Sequence, residues 1–309
     1  MISDTSLSQL KRMNAKKVMI QVPEGLKTKL LAFADFLSQQ GFEPVVSVEP
    51  MFGGCDLRDY EAKELGCDAL LHIGHSDFGV KTKLPVVYEP YAISFDPIPL
   101  LEKNLDNLKP FEKICLVTTV NFQSSLQPAK EFLEKSGKTI FLGTQQRSGG
   151  SGTILGCDWT AAKPFEKSVD CFLYLGSGRF HPLGLALAVD KPVLALDYET
   201  GELVNYEQER KKWLSIKAFH LSEARDAKTF GILVSVKPGQ NYMTVAERLK
   251  TQLEGKGKKA HLLAADFLSP DKLLGLKLDV LVNCACPRMN EDFKLFKKPI
   301  LNPEDVRNL

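Results

Sequence analysis

Seven cysteines are the residues of this 309-residue chain best suited to metal chemistry. An odd number without an export signal disfavours a disulfide framework and favours reduced thiols or metal ligation. Cys67, Cys115 and Cys171 lie in or beside apolar runs, where a free cysteine behaves as a small hydrophobe, so we expect them in the core. Cys55 and Cys157 differ from these three. Each follows a glycine and precedes an aspartate, and each lies in a loop after the second strand of a β-α-β unit that recurs along the chain. Gly-Cys-Asp also occurs at Cys67, so the position within the repeat carries this assignment.

A third candidate ligand comes from the run Cys284-Ala285-Cys286-Pro287-Arg288. We choose Cys286 because it lies beyond the strand, next to a proline that ends the ladder, and Cys284 is the substitute. The gaps of 102 residues (157 − 55) and 129 residues (286 − 157) exclude the short spacing of a zinc finger or ribbon. Three distant thiols suit a cluster held between domains, although ordinary buried or exposed thiols remain the alternative.

The elements that must position these thiols repeat three times. Each copy has an apolar strand, an amphipathic helix, a glycine turn and a second apolar strand, which is a β-α-β unit. The first strands are predicted at 17–23, 113–119 and 230–235, the helices near 27–40, 125–136 and 244–253, and the second strands at 44–48, 138–142 and 260–263.

An aspartate introduces a third strand in every copy, at Asp68, Asp170 and Asp279. Continuous apolar strands alternating with helices predict an α/β fold of parallel sheets covered on both faces. We expect three similar domains, 1–108, 109–222 and 223–309, in a pseudo-threefold triangle around a central cluster site at the carboxyl ends of the strands.

The composition of the chain disfavours nucleic acid and membranes as binding partners. Forty lysines and arginines nearly balance 38 aspartates and glutamates, so the formal charge of +2 does not indicate direct nucleic-acid binding. No apolar run approaches the roughly 18 residues that cross a bilayer, and the first residues lack a signal pattern. We therefore expect a cytoplasmic protein with no membrane association.

The motifs around the candidate thiols resemble a known family. Gly54-Cys55-Asp56, Gly156-Cys157-Asp158 and Ala285-Cys286-Pro287-Arg288 are similar to loops of the diphthamide 2-(3-amino-3-carboxypropyl)histidine synthases. The same holds for Gln21-Val22-Pro23-Glu24-Gly25-Leu26, for the stretch from Gly176 to Gly184 and for Lys237-Pro238-Gly239-Gln240. Single motifs are weak, but six in this order, over about residues 15–305, are specific.

The resemblance implies a non-conventional radical enzyme of diphthamide biosynthesis. It implies a 4Fe-4S cluster on Cys55, Cys157 and Cys286, S-adenosylmethionine as co-substrate, an external electron donor and a homodimer. The 3-amino-3-carboxypropyl group would pass to C2 of a histidine imidazole of translation elongation factor 2, and methylthioadenosine would be released. Three thiolates on four irons leave one iron open to S-adenosylmethionine. No side chain is identified as a catalytic acid or base.

Loops at the carboxyl ends of strands are the candidates for binding S-adenosylmethionine. Small residues after the second repeat's third strand could form a nest of backbone N–H groups, and its basic residues could contact a carboxylate. The predicted contacts are Gln21, Pro23, Glu24, Gly25, Gly176, Ser177, Gly178, Arg179, His181, Lys237, Gln240 and Arg288. For Lys237 and Arg288 a solvated surface position is equally open, and Glu24 could act only on the helix dipole.

Other interpretations remain. His72 and His75 fit a satisfied core histidine and a loop histidine better than a metal pair. A quinolinate-synthase-like 4Fe-4S enzyme acting on a small metabolite is the nearest alternative function. A non-catalytic cluster-bearing partner protein is another, and S-adenosylmethionine binding distinguishes the candidates.

Overall fold

The computed structural model describes residues 2–147, 150–307 and 309, with the backbone alone for residues 290–293. Its described residues form three mainly parallel sheets with helices against them, which confirms the predicted α/β class. The chain divides into two compact units, residues 1–207 and 208–309. The first unit contains two of the sheets and the second unit contains the third.

The first sheet has the strand order β2-β1-β3-β4, and all its neighbouring strands are parallel. Apolar side chains cover both of its faces: Ile20 and Leu71 belong to one buried cluster, Met19 and Leu70 to another. The elements are α1 (Asp4–Arg12), β1 (Lys17–Gln21), α2 (Leu30–Gln39), β2 (Glu43–Val46), α3 (Asp59–Glu64), β3 (Ala69–Ile73), β4 (Val86–Glu89) and α4 (Ile98–Asn104).

The second sheet repeats this order as β6-β5-β7-β8 and adds an antiparallel edge strand, β9. Its elements are β5 (Lys113–Thr118), α5 (Leu126–Lys135), β6 (Thr139–Phe141), β7 (Cys171–Gly176), α6 (Phe180–Ala188), β8 (Val193–Asp197) and β9 (Leu203–Asn205). A 3-10 turn leads into the helix after the first strand in both repeats, at Glu24–Lys29 and at Val120–Ser125.

The second unit contains the third sheet, in the order β11-β10-β12-β13, with all neighbours parallel. Its elements are α7 (Glu207–Asp226), β10 (Thr229–Ser235), α8 (Met243–Gly255), β11 (Lys259–Ala265), β12 (Val280–Cys284), α9 (Phe293–Phe296), β13 (Ile300–Leu301) and α10 (Pro303–Val306). The predicted domain boundary after residue 222 falls within α7. The domain limits and the triangular arrangement of the repeats remain predictions.

The aspartates before the third strands have the same structural role in all three sheets. Asp68 accepts hydrogen bonds from the backbone N–H groups of Lys16 and Lys17 at 2.8 and 2.9 Å, which ties the start of β3 to the start of β1. Asp170 and Asp279 make the equivalent pairs of bonds at β5 and β10. These backbone hydrogen bonds hold the pKa of each carboxyl below its usual range.

A fourth strand, which was not predicted from the sequence, follows a proline in each repeat. The carbonyls of Pro85, Pro192 and Pro299 accept the N–H of the third strand's Leu70, Phe172 and Leu281 at 2.9–3.0 Å. Proline is tolerated at the first position of a strand, where its missing N–H is not needed. The recurring proline before an apolar pair was the available sequence signal.

Among the described residues, no helix is both long enough and apolar enough to span a bilayer.

Candidate iron-sulfur site

The seven thiols separate into two classes by burial. Cys67, Cys115, Cys171 and Cys284 are buried, with at most 5% of each residue exposed, which confirms the first three as core residues. Burial raises the pKa of Cys115 and of Cys171 to about 12 and that of Cys284 to about 11. Protonated, inaccessible thiols are poor metal ligands. The three candidates are each partly exposed: Cys55, Cys157 and Cys286.

Cys55 lies in a tight turn after β2. The turn is closed by the N–H of Asp56, which donates to the carbonyl of Gly53 at 2.9 Å. The segment after β3 packs on this turn so closely that a Cβ on Gly54 would lie 2.6 Å from the carbonyl oxygen of Ser76. The aromatic ring of Phe78 would be 3.1 Å from the same Cβ. Glycine is therefore required at position 54 because its neighbours occupy the space of a side chain.

Gln21, a predicted cofactor contact, is buried behind the Cys55 turn. Its side-chain oxygen accepts the N–H of Arg58 at 2.8 Å, and Nε2 donates to the carbonyl of Asp56 at 2.8 Å. The same Nε2 lies 2.8 Å from Nδ1 of His72. The amide is thus used within the protein, where it holds the backbone on the carboxyl side of Cys55. His72 is fully buried and hydrogen-bonded, as predicted for a core histidine.

Cys157 lies at the tip of a two-residue turn in the second repeat. Leu155 and Asp158 exchange backbone hydrogen bonds at 2.9 and 3.4 Å, so Gly156 and Cys157 form the connection between them. A Cβ on Gly156 would lie only 2.1 Å from Cε1 of Phe180. The ring of Phe180, the first residue of α6, therefore lies directly against the Cys157 turn.

An open cavity of about 500 Å³ adjoins Cys157. Its lining includes Asp158, Trp159, Thr160 and Lys163. Asp158 accepts two hydrogen bonds from Thr160, at 2.9 Å from the N–H and 2.7 Å from the hydroxyl, which fixes the cavity wall beside the thiol. In the described part of the chain, no three His, Cys, Asp or Glu side chains converge on the position of a single metal ion.

The loops that carry Cys55 and Cys157 are connected within the first unit. The guanidinium of Arg147 lies 5.4 Å from the ring centre of Phe78, which in turn packs on the Cys55 turn. Next to Arg147, the N–H of Gln146 donates to the Thr160 hydroxyl at 3.0 Å. Short polar and cation–π contacts thus join the two turns.

Asn121, which was not predicted from the sequence, is a second link between the first two repeats. Its side-chain amide donates to the carbonyl of Pro90 at 2.7 Å and lies 3.2 Å from that of Gly74 and 3.3 Å from that of Tyr91. Gly74 immediately precedes His75 on the loop that packs against the Cys55 turn. A single asparagine after a strand carried no distinguishing signal in the sequence.

The predicted contacts after β1 are at the protein surface. Pro23 caps the 3-10 turn and packs on Gly74, where a Cβ would lie 3.0 Å from its ring. Glu24 is exposed and forms an ion pair with Lys27 at 2.6 Å. Gly25 has open space around it, with no atom within 4 Å of a built Cβ.

The glycine-rich loop after β7 is partly engaged in internal contacts. The N–H of Gly178 donates to Asp197 at 3.0 Å, so this member of the predicted nest is already used. A Cβ built on Gly176 would lie 2.5 Å from the Tyr174 hydroxyl oxygen, so Gly176 packs directly against that group. Ser177 follows and is half-buried. Arg179 is exposed at the start of α6. The His181 ring stacks near that of Tyr174, with centroids 6.2 Å apart and planes 13° apart.

Cys286 lies just beyond β12 in the second unit. Asn283 shapes this segment: its Nδ2 donates to the carbonyl of Cys286 at 2.6 Å, and its side-chain oxygen accepts the N–H of Ala285 at 3.1 Å. Cys284 ends the strand within the apolar core. The geometry therefore favours the Cys286 thiol as the accessible one of the pair.

Three polar residues predicted near the cofactor are buried in the second unit. Lys237, Gln240 and Arg288 are 4%, 7% and 8% exposed, so neither cation is a solvated surface residue. The N–H of Gln240 donates to the carbonyl of Lys237 at 3.0 Å, and the ammonium group of Lys237 lies 5.9 Å from the Phe267 ring centre. Keeping two cations buried is costly unless anionic or polar groups compensate them.

Known proteins are similar to this chain in sequence and in fold. Residues 22–308 match the family model for diphthamide synthesis proteins. The chain is 37% identical to 2-(3-amino-3-carboxypropyl)histidine synthase of Pyrococcus horikoshii, with 98% of this chain and 88% of the relative covered. It is 31% identical to 2-(3-amino-3-carboxypropyl)histidine synthase subunit 1 of Mus musculus, with 96% of this chain and 69% of the relative covered.

A solved structure of Dph2 from Pyrococcus horikoshii with a 4Fe-4S cluster matches with a TM-score of 0.91 at 35% identity. The match covers all of this chain and 90% of that one. The motifs around Cys55, Cys157 and Cys286, the three repeated sheets and these likenesses agree, and the chain belongs to the family of diphthamide synthesis proteins.

Proposed function

We propose that this chain is a 4Fe-4S transferase that moves the 3-amino-3-carboxypropyl group of S-adenosylmethionine to C2 of a histidine imidazole in translation elongation factor 2. This would be the first step of diphthamide biosynthesis. The names of the relatives and the cluster in the Pyrococcus structure support the proposal. The observation that carries it is that Cys55, Cys157 and Cys286 are the partly exposed thiols, each on a short hydrogen-bonded segment beyond a strand.

These donors fit the proposed cluster. Thiolates are the protein ligands of iron-sulfur clusters, and three of them leave one iron for S-adenosylmethionine. When bound, the reduced cluster supplies the electron that breaks a carbon–sulfur bond of the sulfonium. The chain must then orient S-adenosylmethionine so that the bond to the methionine γ-carbon is the one broken, and must exclude water from the site.

The buried cations of the second unit suit the carboxylate of S-adenosylmethionine. We assign this role to Lys237 and Arg288, because charge-assisted hydrogen bonds to a carboxylate are strong where water is excluded. Gln240 lies next to Lys237 in the same turn and could bind the amino or carboxylate group. Glu24, Arg179 and His181 are accessible enough to contact the ligand and stay in the proposed set.

The proposal includes an external one-electron donor that reduces the cluster. Homodimer formation and a cytoplasmic location are proposed with it.

The proposed function is tested by incubating anaerobically purified protein with dithionite, S-adenosylmethionine and an elongation factor from the same source. We expect methylthioadenosine, and a mass increase of one aminocarboxypropyl group on the factor. A factor whose target histidine is replaced is the control and should gain no mass. Formation of 5′-deoxyadenosine without methylthioadenosine would refute the assigned bond cleavage, and absence of any S-adenosylmethionine binding would favour a quinolinate-synthase-like or non-catalytic role.

A further inference from the structure

A chain of hydrogen bonds runs from Gln21 through His72 to His75, and its direction is fixed by the backbone. A backbone N–H can only donate and a carbonyl can only accept, so the bonds to Arg58 and Asp56 identify the oxygen and nitrogen of the Gln21 amide. The second hydrogen of Nε2 faces Nδ1 of His72 at 2.8 Å. Nδ1 of His72 must therefore accept, and the proton of a neutral His72 lies on Nε2.

The next bond fixes His75 in the same way. Nε2 of His72 lies 3.1 Å from Nδ1 of His75, so the proton on the first nitrogen is donated to the second. Burial lowers the pKa of His72 and lowers that of His75 to about 4, so both rings are neutral at physiological pH. The proton of His75 then lies on Nε2, the nitrogen at the far end of the relay.

His75 lies beside the Cys55 turn. Its ring centre is 6.5 Å from that of Phe78, and Phe78 packs directly on Gly54. The ring centre of Tyr88 lies 5.4 Å from the ring centre of His72. A Cβ built on Gly53 would lie 3.4 Å from Sγ of Cys55 and 3.8 Å from Cε2 of Phe78, which places the Cys55 thiol near the Phe78 ring. His75 is half-buried, and its Nε2 has no hydrogen-bond acceptor among the residues that the structure describes.

We propose that His75 donates its Nε2–H to a sulfur atom of a cluster held at the Cys55 turn, and that Gln21 and His72 are positioning residues that fix this donor. The inference rests on the proposed function, since it requires a cluster at Cys55. Hydrogen bonds to cluster sulfurs are one of the features that set the reduction potential. A neutral donor stabilises the more negative, reduced cluster, so His75 raises the potential and eases reduction.

Two substitutions of His75 separate donation from packing. His75→Gln places an N–H near the position of Nε2, whereas His75→Asn reaches only as far as Nδ1 and still accepts from His72. The reduction potential is measured by redox titration with electron paramagnetic resonance detection, on reconstituted proteins of equal iron content. We expect His75→Gln to match the wild type and His75→Asn to have a more negative potential. Equal potentials in all three proteins would overturn the role of His75.

The relay is tested independently in cluster-free protein by long-range ¹H–¹⁵N correlation of the histidine rings. We expect the Nε2–H tautomer in His72 and in His75. Gln21→Glu removes the donor and leaves an acceptor, so it should move the proton of His72 to Nδ1 and, in turn, that of His75 to Nδ1. A wild-type His72 with its proton on Nδ1 would refute the relay. A wild-type protein that cannot bind iron would instead refute the proposed function while leaving the tautomers unchanged.

Discussion

Replacement of Gly156 by alanine tests whether the Phe180 ring determines the position of the Cys157 turn. The new Cβ would lie 2.1 Å from Cε1 and 2.6 Å from Cζ of Phe180, so either the ring or the turn must move. Overpacking of this kind costs about 1–3 kcal/mol. Because Phe180 is 42% exposed, the ring can shift toward solvent. We therefore expect the free energy of unfolding to fall by about 1 kcal/mol, at the low end of that range.

A double-mutant cycle makes the test specific. Phe180→Ala alone removes a ring that is 42% exposed and should cost about 2 kcal/mol, less than the 3–5 of a fully buried phenylalanine. In that background Gly156→Ala meets no ring and should cost under about 0.5 kcal/mol, so the two effects are not additive. Urea unfolding of cluster-free protein provides the measurement. Gly25→Ala, where no atom lies within 4 Å of the new Cβ, is the matched control and should not be destabilising. An equal cost of Gly156→Ala with and without Phe180 would show that the ring does not constrain the turn.

Asp170→Asn should lower stability at neutral pH, and its difference from the wild type should shrink as the pH falls below about 4. The pKa of Asp170 is lower in the folded protein than in the unfolded chain, so its carboxylate stabilises the fold above the usual aspartate range. This stabilisation is lost as the pH falls through the folded-state pKa. A pH-independent difference between the urea midpoints of the two proteins would contradict this. Asn121→Ala should cost about 1–2 kcal/mol by leaving carbonyls such as that of Pro90 without their donor, and Asn121→Asp should not restore the loss. Cys115→Ser should cost about 1–3 kcal/mol by burying a hydroxyl, without changing iron content; loss of iron at equal stability would contradict its assignment as a core residue.

The repeated strands and their aspartates were predictable from sequence because they depend on local composition. Continuous apolar runs identified the first three strands of each sheet, and the aspartate at the start of the third strand recurred in a fixed position. The fourth strands, which have four, five and two residues, were missed. The proline before each of them can be seen in the sequence. Its structural role depends on its carbonyl, which accepts a hydrogen bond from a strand that is distant in the sequence.

The site was predictable at the level of cysteines and less so at the level of their surroundings. A glycine precedes both Cys55 and Cys157, and both turns pack against neighbouring segments. Gln21 was expected to face a ligand, but its position at the end of β1 places it against the Cys55 turn and His72. The burial of Lys237 was equally unpredictable, because exposure of a lysine after a strand depends on tertiary packing that one sequence does not reveal.

The central claim is that three thiols bind one 4Fe-4S cluster. Its most direct test is iron and acid-labile sulfide analysis, with electron paramagnetic resonance, on anaerobically purified single cysteine-to-alanine variants. We expect loss of the cluster signal in Cys55→Ala, Cys157→Ala and Cys286→Ala, and its retention in Cys284→Ala, the matched control two residues away. Retention of a full cluster in any of the first three, or its loss in Cys284→Ala alone, would contradict the assignment.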